Sequence, residues 1–333
     1  MAIGIGVIGA GVMGADHARI LASSVAGAEL VALSDPAADR RDTLAADLGI
    51  KATYTDAMDL IADPKVQAVI VASPDPTHKA LTLACLAVSK PVLCEKPLAT
   101  SASDCLEIVR REIDFGRRMI QVGFMRRFDP GYTAMKQALV ADEIGAPLIF
   151  HCIHRNKQSS GYTTSEGLIA NSAVHEIDIC RWLLDDEPAR AIVIAPRSSR
   201  LTTVRDPQIL ILQMAGGAIV EIEVFINAQY GYDVRAELVG ETGTISLQPR
   251  SDAVVKRGGI EGIRHGDDWR PRFAAAYRIE LQAWIDAIAT GGATGASAWD
   301  GYAATAIADA SVAALKSGEP TDIHLEPKPA FYA

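Results

Sequence analysis

The chain has 333 residues, 49% of them apolar and 22% charged, with a formal charge of −9. That length exceeds one ordinary core and suits two domains, and the composition excludes a disordered tail, a collagen-like fibre or a small disulfide scaffold. The negative charge repels phosphate backbones, so no nucleic acid is expected as a partner, and no apolar run is long enough to cross a bilayer, so no membrane is either.

The opening stretch, MAIGIGVIGAGVMG, has no basic region and no cleavage signature, which predicts a cytoplasmic protein. From there, short apolar runs alternate with amphipathic segments. Strands are predicted over 3–8, 29–34, 66–71, 91–94 and 119–122, and helices over 14–24, 37–48, 77–87 and 101–115. Apolar strands without alternation are buried on both faces, the condition of a parallel sheet between helices. An α/β fold follows: an N-terminal doubly wound Rossmann domain over 1–122.

Past Gly123 the grammar changes, and a second α/β domain is predicted over 123–333. A helix over 131–141 precedes a strand over 147–154, a polar loop over 156–162 and a helix over 171–184. Strands then follow one another over 191–195, 208–214, 218–227, 232–239 and 243–248, with turns at Gly216-Gly217 and Glu241-Thr242-Gly243. Consecutive strands make an open, mainly antiparallel sheet. Helices over 273–290 and 299–317 close the chain. Cys85, Cys94, Cys105, Cys152 and Cys180 form no Cys-x-x-Cys pair, so reduced and mostly buried thiols are expected.

The motif VIGAGVMG puts Gly9, Gly11 and Gly14 between the first strand and the first helix. Gly9 permits the tight turn, Gly11 lets a pyrophosphate approach the backbone, and Gly14 lets helix and strand pack closely. The amides of this turn, with Val12 and Met13, face the phosphates at a helix N-terminus. Asp35, ending the second strand, accepts hydrogen bonds from the adenosine ribose and repels a 2′-phosphate, so NAD is predicted over NADP. Arg40 and Arg41 follow it and are read as a solvated helix face. The segment SPDPTH, residues 73–78, follows the strand over 66–71 and borders the cofactor through Ser73, Pro74 and His78, with Thr77 as a helix cap.

The strand over 91–94 runs into PVLCEKP, residues 91–97. With the glycine turn and SPDPTH, and with FMRRFD (124–129), HEID (175–178) and RFAAAYRIEL (272–281), it resembles the Gfo/Idh/MocA family of oxidoreductases over nearly the full length. Within that family it is most similar to the inositol 2-dehydrogenase branch. The resemblance implies oxidation of a secondary alcohol on a cyclitol or sugar ring, foremost myo-inositol to its 2-keto form. It also implies a homo-oligomer, tetramer or dimer, built through the second sheet. Its catalytic groups map to Lys96 and His175, with Glu95 beside the cofactor.

Read as chemistry, His175 titrates in the working range of a general base, and Lys96 stabilises a developing alkoxide. The branch often has aspartate where this chain has Asn171, one helical turn before His175, so Asn171 can hydrogen-bond but supplies no negative charge. Asp178, on the same predicted face, partly substitutes. Arg126, Tyr232, His154 and Asn156 complete the expected hydroxyl-binding set. Arg127 is read as a salt-bridge residue and Trp269 as core. His151 and His154, an odd step apart on one strand, point to opposite faces, and no Cys/His spacing suits zinc, so no metal is expected. Alternatives are a scyllo-inositol or pyranose dehydrogenase, for which Asn171 speaks, and a non-catalytic NAD-binding regulator, against which Lys96 and His175 speak.

Overall fold

A computed structural model describes residues 2–158, 164–247 and 253–333. Residues 159–162 of the predicted polar loop, and 248 at the end of a predicted strand, lie outside them. The chain forms two compact units, one of residues 1–128, 276–305 and 326–333, the other of 129–275 and 306–325.

The first unit opens with β1 (Ile3–Ile8), α1 (Val12–Ser24), β2 (Ala28–Ser34), α2 (Ala38–Leu48), β3 (Ala52–Tyr54) and α3 (Ala57–Ala62). It continues through β4 (Ala68–Val71), α4 (His78–Ala87), β5 (Val92–Cys94), α5 (Ala102–Phe115) and β6 (Ile120–Val122). The strands form a six-stranded parallel sheet ordered β3-β2-β1-β4-β5-β6. This is the doubly wound dinucleotide-binding order, and strand order reverses between β1 and β4. The strands are buried because helices cover both faces: Ile5, Val7, Val69, Ile70, Leu93 and Val122 are sealed from solvent. Helix starts follow local chemistry. The Ser101 hydroxyl accepts the Asp104 amide at 3.2 Å, and Gly116 ends α5 in the left-handed region at φ 79°. The sequence assigns no element to β3 and α3. β3 is three half-buried residues at the sheet edge, too short to set up a periodic pattern.

The second unit holds α6 (Pro130–Val140), β7 (Pro147–Arg155), α7 (Val174–Leu184), β8 (Pro188–Ile194), β9 (Gln208–Met214), β10 (Ile219–Phe225), β11 (Asp233–Gly240) and β12 (Thr244–Ser246). β13 (Val254–Arg257) and β14 (Ile260–Ile263) form a separate exposed hairpin. Helices α8 (Arg270–Thr290) and α9 (Ala298–Ser317) and the short β15 (Thr321–Asp322) close the chain. The sheet has seven strands ordered β12-β11-β7-β10-β9-β8-β15; only β7 and β10 pair in parallel. Alternation along β7, β9 and β10 buries Phe150, Cys152, Leu210, Leu212, Val220 and Ile222 on one face. Both predicted turns are hairpins, Gly217 at φ 98° in one and the Gly240 amide on the Gly243 carbonyl at 2.8 Å in the other.

Two expectations need correction. A single boundary at 122/123 fails because Leu281, Trp284 and Ile285 of α8 pack into the core around Ile5, Val7 and Leu33, so residues 276–305 belong with the first unit. The helix predicted over 171–184 begins as a π-helical turn, Leu168–Ala173, and becomes α-helical only from Val174. The wider turn removes the simple one-turn relation expected of Asn171 and His175. All five cysteines are free and buried.

Candidate active site

The glycine turn sits at the carboxyl end of β1, against the turn after β4, and its glycines are there for different reasons. At Gly9 (φ 100°) a side chain would meet the Ala72 carbonyl oxygen at 2.4 Å, and at Gly14 it would meet the Gly9 carbonyl oxygen at 1.8 Å. The fold itself forbids a β-carbon at both. At Gly11 nothing lies within 4 Å and φ is an ordinary −70°. No protein contact requires glycine there, so the open space before the first amides of α1 suits a bound phosphate group. That helix carries no side-chain cap and no acid in its first turn, and Val12 beside it is exposed. These features fit NAD.

Asp35 lies at the end of β2, nearly buried. Its carboxylate accepts the Ala10 and Ala37 amides, each at 2.8 Å, and the Arg40 guanidinium at 3.1 Å. Burial pushes its pKa up, but these donors outweigh burial and hold the carboxyl below its usual range. The reading of Arg40 and Arg41 as a bare solvated face is therefore corrected. Arg40 reaches back one turn to the acid, and Arg41 donates to Thr55 and Asp42.

In the segment 73–78, Thr77 stands at the N-cap but does not cap. Its hydroxyl donates to the Pro74 carbonyl at 2.7 Å and lies 2.6 Å from the Ser73 hydroxyl. His78 is buried, with Nδ1 at 2.7 Å from the Pro97 carbonyl and Nε2 at 2.8 Å from the Ser73 carbonyl. A carbonyl only accepts, so both nitrogens must donate, and the ring is an imidazolium. Burial opposes that charge, but Cys94 and the two carbonyls outweigh it and push the pKa up to about 10. His78 thus ties the Ser73 turn to the residue after Lys96.

Glu95 is buried and held on both oxygens. His17 Nε2 donates to one at 2.7 Å and the Lys96 amide to the other at 3.2 Å. Burial raises its pKa, yet His17 and Lys96 bring the net value below normal. Gly123 leaves room for it: a β-carbon there would come 3.1 Å from the carboxylate. His17, absent from the expected set, is fully buried on α1 and edges onto Tyr277 at 5.7 Å. The signal was a histidine on the inward face of the helix that starts at the glycine turn. Lys96 is half-buried, Arg126 is fully buried, and Arg127 pairs with Asp300 at 3.1 Å, the salt bridge expected of it.

The second unit gathers its own polar cluster. His154, next to last in β7, lies on its buried face, and its Nδ1 donates to the Glu176 carboxylate at 3.0 Å. Its ring centroid lies 6.4 Å from that of His175 and 5.8 Å from that of Tyr232, which in turn edges onto Phe273 at 6.3 Å. Glu176, next in sequence to His175 and fully buried, is a second residue outside the expected set. His151 points to the opposite face and meets Glu221 at 3.3 Å. Asn156 Oδ1 is buried without a hydrogen bond to any described residue. Asn171 is exposed on the π-helical turn, and Asp178 is fully buried, 4.0 Å from the Arg181 guanidinium. Trp269 is half-buried beneath Arg270, not core.

Comparison with known proteins places this geometry. Residues 3–124 match the oxidoreductase family with an NAD-binding Rossmann fold, and residues 132–246 match the GFO/IDH/MocA C-terminal domain. The chain is 53% identical to inositol 2-dehydrogenase 1 of Saccharopolyspora erythraea, covering 100% of this chain and 99% of that protein. It is 44% identical, with the same coverage, to inositol 2-dehydrogenase of Serratia proteamaculans. Among solved structures, a myo-inositol dehydrogenase from Lactobacillus casei in complex with NAD(H) and myo-inositol is 35% identical, covers 100% of both chains and has a TM-score of 0.96.

Proposed function

The chain belongs to the GFO/IDH/MocA family of NAD-binding oxidoreductases, and on that premise we propose that it oxidises a ring secondary alcohol of a cyclitol, myo-inositol before others, to the ketone. The observation that carries this is the full-length likeness to a myo-inositol dehydrogenase whose structure holds NAD(H) and myo-inositol. NAD, when bound, supplies the hydride acceptor. The alcohol proton goes to the His175 imidazole, while the Lys96 side chain stabilises the charge developing on oxygen. Glu95 fixes the backbone at Lys96, and Tyr232 and His154 present hydroxyl-binding groups. Asn171, Asn156, Arg126 and Asp178 are assigned to the same polyol-binding set.

NADH formation measured by absorbance with myo-inositol, scyllo-inositol, D-chiro-inositol and several pyranoses, each with NAD and NADP, tests the reading. Turnover of myo-inositol with NAD is expected to lead. Leading activity on scyllo-inositol or glucose would transfer the same mechanism to the substrate that Asn171 favours. Comparable kcat/KM with NADP would overturn the role of Asp35. Replacing Lys96 or His175 by alanine should lower kcat at least about a hundredfold; near-normal turnover would remove that residue from the mechanism.

We also infer a homo-oligomer in the cytoplasm. The outer face of the second sheet carries Ile149, Ile153, Ile209, Ile211 and Ile219, none of them fully buried, among the His151–Glu221 and Arg155–Glu223 pairs. A half-apolar sheet face of this kind suits a second copy of itself. Five reduced thiols suit a reducing compartment.

A further inference from the structure

A cavity of about 350 Å³ lies wholly within the first unit, at the amino-terminal edge of its parallel sheet. Its walls are the starts of β1, β4, β5 and β6, the last turns of α8 and the loop after them. The glycine turn follows the carboxyl end of β1, so this cavity and the cofactor turn occupy opposite ends of the strands. The volume falls in the range of small-molecule sites.

Most of the wall is apolar, with Trp284 and Ile288 prominent, and no acidic side chain lines it. Its polar groups are unusual. Gln121 is 2% exposed, yet neither its Oε1 nor its Nε2 bonds to any described residue. Nε and Nη2 of Arg118 are likewise buried without a hydrogen-bond partner. The Arg118 guanidinium lies over the Tyr332 ring at 5.9 Å, and its charge offsets a little of the rise that burial gives the Glu112 pKa. Glu112 is nonetheless committed elsewhere. One oxygen accepts the Met119 and Ile120 amides at 2.6 and 2.7 Å, and the other accepts the Tyr332 hydroxyl at 2.6 Å. Arg117 adds a second positive charge at the wall, its guanidinium 3.1 Å from Met119 Sδ.

Buried amide and guanidinium atoms are costly to leave unbonded, and folded proteins rarely leave several in one place. A carboxylate accepts from Gln121 Nε2 and from the Arg118 guanidinium together, and Gln121 Oε1, itself an acceptor, stays outside that contact. We propose that this cavity is a second ligand site, taking a small organic anion whose carboxylate bonds Arg118 and Gln121 while its apolar body lies on Trp284 and Ile288. The site is independent of the dehydrogenase reaction, and its test does not need turnover.

The probes are indole-3-acetate and benzoate, with indole-3-acetamide and benzamide as neutral counterparts, followed by ligand-observed NMR and by thermal unfolding of the full chain. Both carboxylates should bind saturably, with or without NAD, and raise Tm by a few degrees at saturation. The amides should bind at least about tenfold more weakly. Arg118→Met should erase that preference while NAD affinity stays unchanged. Gln121→Leu, which removes the buried amide and keeps the shape, should raise Tm without ligand and weaken carboxylate binding. Equal binding of acids and amides, no saturable binding, or displacement of the carboxylates by NAD would each overturn the proposal. Should Arg118→Met fail to fold, the acid–amide comparison and Gln121→Leu decide it alone.

Discussion

At the scale of single residues, one sequence motif hides two kinds of glycine. Gly14→Ala would force a β-carbon against the Gly9 carbonyl, so it should unfold or severely destabilise the first unit. Gly11→Ala meets nothing, so its urea midpoint should shift little while the KM for NAD rises about tenfold or more. A Gly11→Ala protein with normal KM would show that the open space is not the cofactor's. His78 carries a pH prediction. Its pKa is raised from an ordinary value near 6.5 to about 10 in the folded chain. The folded state therefore binds the extra proton between those values. Its contribution is complete below about pH 6.5 and is lost as pH rises through about 10. Thermal unfolding from pH 6 to 10 should show a steeper fall for the native chain than for His78→Gln; parallel curves would mean the ring is neutral.

At the scale of elements, α8 is the informative case. Its apolar pattern predicts a helix, but not which core it serves. Leu281, fully buried against the parallel sheet, should cost about 2–5 kcal/mol when cut to alanine. Because that core is the Rossmann unit's, bound NAD should recover part of the loss in urea unfolding. No recovery by NAD would place Leu281 outside the cofactor-binding fold. The π-helical turn before α7 is the contrary case. Leu-Ile-Ala-Asn-Ser-Ala carries no proline or glycine to announce a wider turn, and the α-helical expectation for Asn171 failed there. Strand pairing is intermediate. Both Gly-rich hairpins were readable from turn chemistry, whereas the parallel pairing of β7 with β10 depends on strands far apart in sequence.

At the scale of the whole molecule, the homo-oligomer we propose would assemble through the outer face of the second sheet. Ile211 lies on its outer face, half-exposed. Ile211→Lys puts a charge where a second copy would bury it, so light scattering after size-exclusion chromatography should show a smaller species than the native chain. An unchanged mass would move the interface elsewhere. Among the described residues no helix is long and apolar enough to cross a membrane.

Local pattern was enough to read the fold class, the glycine turn, Asp35, the Glu-Lys-Pro segment and the family, because a strand, a turn and a helix start lie next to one another in the chain. It also separated His151 from His154, since a strand's alternation needs no tertiary information. Only the tertiary structure paired His17 with Glu95, His154 with Glu176 and Arg40 with Asp35, returned α8 to the first core, and exposed the unbonded groups of Gln121 and Arg118. Hydrogen bonds between buried side chains depend on which faces meet, and no pattern within one segment records its distant partner.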